Sequence, residues 1–394
     1  MRVLVLNSGS SSVKFRLLDP EDPAYLVNGI IERIGESGSR IRVFFDDEEI
    51  EHVTDIPDHK AGVIAAFALL SESGHDPRHS NIVTVGHRVV MGGDLFTKPV
   101  VVTDKVLDAI RELSYLAPLH NPANADGIAA VRIALPDIPQ VAVFDTAFFA
   151  DLPEPSRTYA IDREVATRYG VRRYGFHGTS HDYVSHRVAE FLDRPYESLR
   201  QIVLHLGNGA SASAIAEGRA VDTSMGMTPM QGLVMGTRSG DIDPGVMTYL
   251  SRAAEMDATD LDHLLNRKSG LRGLCGHNDF RELTDLVEAG DPDAVLAYEV
   301  YLHRLRMYIG GYLMLLGGAD TITFTAGVGE NAPKMRADAL SGLEWFGIEI
   351  DPERNALRSK QPRIISTDSS RVTVLVVPTD EELLIARAAL SVTQ

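Results

Sequence analysis

The chain has 394 residues, 44% hydrophobic and 24% charged, the make-up of a globular protein long enough for two ordinary domains. Its 38 Lys and Arg against 55 Asp and Glu leave a formal charge of −17, which argues against nucleic acid or an anionic membrane as a general partner. One cysteine, Cys275, excludes an intramolecular disulfide framework, no Cys/His cluster has zinc-site spacing, and no apolar run reaches a membrane span, so a soluble cytoplasmic protein is expected.

Apolar runs predict strands over 3–6, 13–18, 41–45 and 82–85, and helical patterns fall over 63–70, 105–113 and 123–134. A strand over 141–145 follows, and two prolines in 151–155 place a domain change near residue 150. Beyond it come a helix over 180–192, strands over 202–206 and 211–215, a helix over 294–316, strands over 321–325 and 372–377, and a helix over 381–390. This alternation is that of an α/β protein. Near residue 7 and again near residue 207 an apolar strand meets a Gly/Ser turn and returns as a strand, an echo that either duplication or coincidence explains.

The first of these turns, Asn7-Ser8-Gly9-Ser10-Ser11-Ser12-Val13-Lys14, joins small hydroxyl residues to one cation. It suits a phosphate grip, in which backbone N–H groups and hydroxyls approach the oxygens and Lys14 or a bound cation neutralises charge; it also suits a hairpin with solvated serines. In the second, His205-Leu206-Gly207-Asn208-Gly209, glycines let backbone wrap an oxyanion while His205 and Asn208 add donors, and a bulged hairpin is the plainer reading. A third, Gly327-Val328-Gly329-Glu330-Asn331, follows a strand and opens a helix, so its N–H groups point at a ligand. None is GxxxxGK[ST], which excludes a P-loop, and no GxGxxG opens a helix after the first strand.

Arg88 in Gly86-His87-Arg88 and Arg238 in Gly236-Thr237-Arg238-Ser239-Gly240 stand among glycines at apolar borders, where an arginine needs an anionic partner, either a ligand or a structural carboxylate. His177 precedes Gly178-Thr179-Ser180-His181; Thr179 or Ser180 reads as a helix N-cap, placing His177 at a helix mouth that disfavours imidazolium and leaves a neutral donor. Asp145 ends a strand, where α/β proteins place catalytic or metal-binding carboxylates. Glu381 opens the last helix, where it serves either a metal or the positive helix end.

With these motifs in hand, the chain resembles the acetate kinase family from end to end. The matching segments are LVLNSGSSSVKF, GHRVVMGG, LAPLHNPAN, VFDTAF, RRYGFHGTSHDYVS, HLGNGASASAI, DTSMGMTPMQGLVMGTRSGDIDPG, FTAGVGEN and PTDEELLIAR. The resemblance implies two duplicated ribonuclease H-like domains of the actin-like ATPase kind with the active site in the cleft between them. The first would span residues 1–149, completed by the C-terminal helix 382–394. The second, 150–381, would bind nucleotide and form a homodimer, for which the apolar helix 294–316 is one candidate face. That helix also reads as a core element.

The resemblance also implies roles, residue by residue. Arg88 and Arg238 would hold acetate or acetyl phosphate and neutralise the transferring group, with His177 donating to the phosphoryl oxygens. Asn7 and Glu381 would organise Mg²⁺, with Mn²⁺ as a substitute, while Asp145 orients an arginine or the metal. Ser10, Ser12, Lys14, His205, Leu206, Gly207, Asn208 and Gly209 would line the phosphate path. Asp279, Phe280, Arg281, Gly327, Val328, Gly329, Glu330 and Asn331 would hold the adenosine end of ATP or ADP. Val90, Leu119 and Pro229 would enclose the methyl group. The chain departs from the family pattern at Phe149, commonly His there, and at Ala212, usually a larger aliphatic residue; neither carries chemistry.

The expected reaction is transfer of the ATP γ-phosphoryl group to acetate. A carboxylic acid with a pKa of about 4 is ionised at neutral pH, so no general base is required. Propionate or another short-chain acid is the alternative acceptor. A sugar kinase on the same fold would need an Asp base, for which Asp145 is the candidate, and would need a polar pocket. A chaperone or filament ATPase would hydrolyse ATP with no reason for the two arginines to converge.

Overall fold

The computed structural model describes residues 1–9, 11–22, 25–45, 48–72 and 76–394, with Tyr25 and Arg78 described by their backbone alone. Ser10, expected in the phosphate path, lies outside the described residues.

The first sheet is built from β1 (Arg2–Ser8), β2 (Ser12–Leu18), β3 (Tyr25–Glu32), β4 (Ser39–Phe45), β5 (Glu48–Thr54), β6 (Ile82–Val89), β7 (Val100–Val101) and β8 (Gln140–Phe144), in the order β5-β4-β3-β2-β1-β6-β8-β7. The second contains β9 (Gln201–Leu206), β10 (Ala210–Ala216), β11 (Arg219–Thr223), β12 (Thr321–Thr325), β13 (Arg363–Ile364) and β14 (Thr373–Val376), in the order β11-β10-β9-β12-β14-β13. Their plans coincide. β1 is antiparallel to β2 and parallel to β6, which is parallel to β8; β9 is antiparallel to β10 and parallel to β12, which is parallel to β14. The echo between residues 7 and 207 is therefore a repeated topology, with β4 and β5 added to one edge of the first sheet.

Residue choice follows burial. Val3, Leu4, Val5 and Leu6 of β1 are all buried, as befits a central strand covered on both faces, whereas β2 alternates, burying Val13, Phe15 and Leu17 and exposing Lys14. The edge strand β5, EEIEHVT, is charged and largely exposed, which blunts it against further pairing. Gly29 of β3 is obligatory, because a Cβ there would come within 2.2 Å of the Phe15 ring.

The chain divides into two compact units, Met1–Ala150 with Asp380–Gln394, and Asp151–Thr379. The divisions fall after Ala150 and Thr379 rather than after 149 and 381, so Glu381 belongs with the first unit. The helix Glu381–Thr393 packs on β6, where a Cβ on Gly86 would lie 2.6 Å from Ile385. Its cap, Asp380, accepts from Leu383 N at 3.1 Å and pairs with Arg16 at 3.0 Å.

Elements occur at every predicted place, with shifted ends, but several were not predicted. β3 carries Asn28-Gly29 at its middle and β5 has no apolar alternation. The helices Pro244–Ala253, Ala258–Arg267 and Phe280–Glu288 are short, and each is announced by an aspartate cap, Asp243, Asp257 or Asp279, rather than by a long apolar stripe. No described helix is long and apolar enough to cross a membrane.

Candidate active site

In the first unit the functional groups gather where β1, β6 and β8 end. Asn7 on β1 is in register with Arg88 on β6 and Lys14 on β2. Arg88 donates Nε to Asp145 Oδ1 at 3.0 Å, Nη2 to Asp145 Oδ2, and Nη1 to Asn7 Oδ1 at 3.1 Å, and its Nε lies 3.7 Å from Glu381 Oε2. Burial disfavours the charged guanidinium, but Asp145 and then Glu381 outweigh it and hold Arg88 above the ordinary arginine value, so it is a permanent cation. Asp145, fully buried with both oxygens on Arg88, holds this arginine in place. Lys14 is exposed on β2, and Ser12 is the first residue of that strand. Val90 is buried, and Leu119 is 38% exposed.

Two asparagines from the LAPLHNPAN segment, given no role from the sequence, pin these strand ends. Asn124 accepts from Val90 N at 3.0 Å and donates to Ser8 O at 2.6 Å, joining the ends of β1 and β6. Asn121 brackets Met91, accepting from its N at 3.1 Å and donating to its O at 3.0 Å. His59, likewise unassigned, donates Nε2 to Gly9 O at 2.7 Å and steadies the first turn.

In the second unit His177 is itself the N-cap, and the helix Gly178–Phe191 starts at once; Thr179 and Ser180, expected as caps, are buried inside it. The reason is the backbone of His177, at φ +58° in the left-handed region, which turns the chain straight into the helix. Its Nδ1 lies 2.9 Å from Ser211 Oγ, which lies 2.7 Å from His181 Nε2, and His181 Nδ1 is 2.8 Å from Ser213 Oγ. The His205 ring stacks on His177 at 4.3 Å, with its Nδ1 2.7 Å from Ser180 Oγ, itself 2.8 Å from Thr379 Oγ1. Burial, reinforced by His205, pushes His181 well below the ordinary histidine value, so this inner histidine is neutral.

Gly209 marks the meeting point of the unit's groups: a Cβ there would lie 3.3 Å from the His177 ring and 3.7 Å from Arg238 Nη1. Arg238 donates Nη1 to Pro229 O at 3.0 Å. The loop carrying Arg238 is locked to the second Gly turn, since Gly236 N donates to Asn208 O at 2.9 Å and a Cβ on Gly236 would come 1.9 Å from Asn208 Oδ1. Leu206 and His205 are buried behind that turn.

A cavity of about 880 Å³, of the size that takes a nucleotide, opens in the same unit. Gly207, Asn208, Asp279, Phe280, Arg281, Gly327, Val328 and Asn331 all line it, together with Tyr298, Tyr301, Lys334 and Arg358, which were not singled out in the sequence. Gly329 and Glu330 lie off the lining: Gly329 is buried, and Glu330 accepts from Thr379 N at 3.3 Å, its carboxyl raised by burial. Phe280 packs against Tyr301 at 5.2 Å and Tyr298 at 6.1 Å. Asp279 caps the helix Phe280–Glu288 and pairs with Arg281, which holds its carboxyl down at about 2. Buried Arg336 donates to the carbonyls of Gly329 at 2.8 Å and Glu330 at 3.0 Å, fixing the short helix Ala326–Asn331 from behind.

A sheet plan used twice, with a Gly turn at the same hairpin each time, is the architecture of the actin-like ATPases, a class that includes phosphotransferases, and the cavity opens beside the second of those turns. The sequence matches the model of the Acetokinase family over residues 2–387, and the chain belongs to that family. It is 55% identical to an acetate kinase of Corynebacterium efficiens, with 98% of this chain and 97% of that protein covered, and 56% identical to one of Corynebacterium glutamicum, with 98% of each covered. Among solved structures it is similar to the acetate kinase of Porphyromonas gingivalis, at TM-score 0.94 and 43% identity over 100% of both chains. It is also similar to a propionate kinase from Francisella tularensis subsp. tularensis, at TM-score 0.93 and 40% identity over 99% of each.

Proposed function

We propose that the chain is an acetate kinase, catalysing reversible transfer of the ATP γ-phosphoryl group to acetate to give acetyl phosphate and ADP. The observation that carries this reading is the Arg88–Asp145 pair. A carboxylate acceptor needs a fixed cation and no base, and Asp145, buried with both oxygens on Arg88, is placed to hold that cation rather than to deprotonate a hydroxyl. This counts against a sugar kinase.

An oxygen of acetate attacks the γ-phosphorus in line, the bond to the β,γ-bridging oxygen breaks, and its electron pair leaves on ADP. Arg88 and Arg238 neutralise the acetate and the transferring oxygens. His177 has Nδ1 on Ser211, so Nε2 is the nitrogen we assign to the phosphoryl group. Gly207 and Asn208 take the phosphate chain, and Asp279 to Arg281 with Gly327, Val328 and Asn331 take the nucleoside. Val90, Leu119 and Pro229 bound the methyl group.

Mg²⁺ fits the donor set. Asn7 offers a carbonyl oxygen and Glu381 a carboxylate, both hard ligands at Arg88, and no group of three or more His, Cys, Asp or Glu able to hold a metal occurs among the described residues. That is the pattern of an ion carried chiefly by nucleotide phosphates and water, which would supply charge neutralisation when bound.

A homodimer is part of the proposal. The helix Pro292–Leu315 buries Ala297, Tyr301, Leu305, Ile309 and Tyr312 in its own unit, and exposes Leu296, Met307, Met314 and Leu315. Gly310 and Gly311 stand on that open side, with nothing within 4 Å of a Cβ, so another helix can approach closely. Met307→Glu should convert dimer to monomer in sedimentation velocity; an unchanged sedimentation coefficient assigns the interface elsewhere.

The second reading, a propionate kinase, is favoured by the Francisella tularensis neighbour. Acyl phosphate formation from Mg-ATP with acetate, propionate and butyrate decides between them. Acetate is expected to have the largest kcat/KM; propionate in first place overturns that preference, and no acyl phosphate from any acid overturns the reaction.

A further inference from the structure

The loop from Thr223 to Arg238 carries both Pro229 and Arg238, and side chains outside the site stitch down almost all of its first half. Arg173 donates Nη1 to three successive carbonyls, Thr223 at 2.9 Å, Ser224 at 3.3 Å and Met225 at 3.0 Å, and Nε to Ser156 O at 3.1 Å. The next carbonyl, that of Gly226, accepts from Tyr174 N at 3.0 Å and Gly175 N at 3.3 Å. Tyr159 then takes over. Its hydroxyl accepts from Met227 N at 3.0 Å and donates to Gln231 Oε1 at 2.5 Å, and its ring lies 5.7 Å from the Arg173 guanidinium. The fit is close enough to dictate Gly226, where a Cβ would lie 2.1 Å from the Tyr159 hydroxyl and 2.0 Å from Gln231 Oε1.

The two ends of one short arch, Met227 and Gln231, are thus tied to a single phenol oxygen, and Pro229 is its middle residue. Nothing in the reaction calls on Tyr159 or Gln231 directly. A phenol that closes a five-residue arch fixes where the middle residue stands, and Pro229 in turn gives its carbonyl to Arg238.

We infer that the Tyr159–Gln231 clasp, backed by Arg173, is a positioning device that sets the acyl-chain limit of the enzyme by holding Pro229 in place. This rests on the proposed role of Pro229 as a wall of the methyl site. Loss of the clasp lets the arch relax outward and admits one more methylene, while the nucleotide cavity, whose lining includes neither residue, keeps its shape.

The test uses the full-length enzyme with Tyr159→Phe, Gln231→Leu, the double variant and Pro229→Ala, measuring kcat/KM for acetate and propionate, KM for ATP, and Tm. Each single clasp variant should raise the propionate-to-acetate ratio of kcat/KM roughly threefold to tenfold, a fraction of what one methylene is worth in an apolar pocket. The double variant should equal Tyr159→Phe, because loss of the hydroxyl already removes the bond to Gln231 along with that from Met227 N, and KM for ATP should stay within about twofold. Pro229→Ala should raise the ratio as well. An unchanged ratio in both clasp variants, with Pro229→Ala raising it, overturns the inference and leaves Tyr159 a stabilising residue visible in Tm alone. An unchanged ratio in Pro229→Ala overturns the assignment of Pro229, and the inference with it. Should Tyr159→Phe fail to fold, Gln231→Leu carries the same prediction.

Discussion

The two sheets place different chemistry at one and the same position. At the end of β1, Asn7 stands opposite Arg88 of β6 and Lys14 of β2; at the corresponding end of β9, His205 stands opposite Thr325 of β12 and Ser211 of β10. In the first unit this corner holds charge, an arginine locked to a buried aspartate. In the second it holds a hydrogen-bonded lattice of histidines and hydroxyls, His177–Ser211–His181–Ser213 and His205–Ser180–Thr379, to which Arg238 is added from a loop. The repeated frame therefore dictates where these groups sit, and the residue type at each corner dictates whether it presents a fixed ion pair or a network of hydrogen bonds.

The comparison breaks most readily at the charges. Arg88→Ala and Arg238→Ala should each lower kcat by roughly 10²–10³-fold, the worth of one preorganised donor to a developing anion, with ADP affinity near normal by calorimetry. Wild-type turnover in Arg88→Ala would remove the charged half of the contrast, and in Arg238→Ala the one cation that the second unit adds to its lattice. Asp145→Ala should cost about 2–3 kcal/mol in urea unfolding, because it takes both hydrogen-bonded oxygens from the partly buried Arg88 and leaves it only the more distant Glu381 carboxylate at 3.7 Å.

The hydrogen-bonded lattice predicts a smaller, graded loss. His177→Ala should lower kcat by roughly 10²-fold with little change in KM for ATP. Ser211→Ala should cost roughly tenfold, since it removes the hydroxyl that orients the His177 ring while leaving its Nε2 donor in place. Equal effects would mean that Ser211 acts on substrate itself. Gly236→Ala tests the nucleotide wall: its Cβ would displace the Asn208 side chain, so KM for ATP should rise about fivefold to twentyfold while KM for acetate changes little.

The last effect, on stability below neutral pH and not on turnover, concerns His87, beside Arg88 but buried on Gln140 at 2.8 Å. Burial lowers it from 6.5 to about 4. The unfolded chain thus binds this proton at a higher pH than the folded one, so stability is full above pH 6.5 and falls as pH drops toward 4, by about 3 kcal/mol at most. In His87→Gln the unfolding free energy should lose that part of its pH dependence; an unaltered slope between pH 6.5 and 4 would mean another group carries it.

Much of the candidate site was legible because its residues sit in short motifs. Asn7, Arg88, Asp145, His177, Arg238 and Glu381 all stand next to glycines, at strand ends or at helix starts. The lattice behind His177 was half-visible: Ser211 and Ser213 share a strand face by their spacing of two, and His177 and His181 share a helix side by their spacing of four, yet neither spacing says that the two pairs meet. Arg173, Tyr159 and Gln231 left no signal, because their partners are backbone carbonyls and one amide up to 72 residues away.

By itself, the sequence determined the α/β alternation, the two Gly turns and the residue types of the charged corner, since periodicity, glycine and buried charge are local properties of a chain. Only the tertiary structure decided that the echo is a repeated sheet, that Asp145 spends both oxygens on Arg88, that His177 caps its own helix, and that a phenol closes the Pro229 arch. Each of these depends on which strands pair and in what register, and pairing joins residues whose separation along the chain carries no information about their contact.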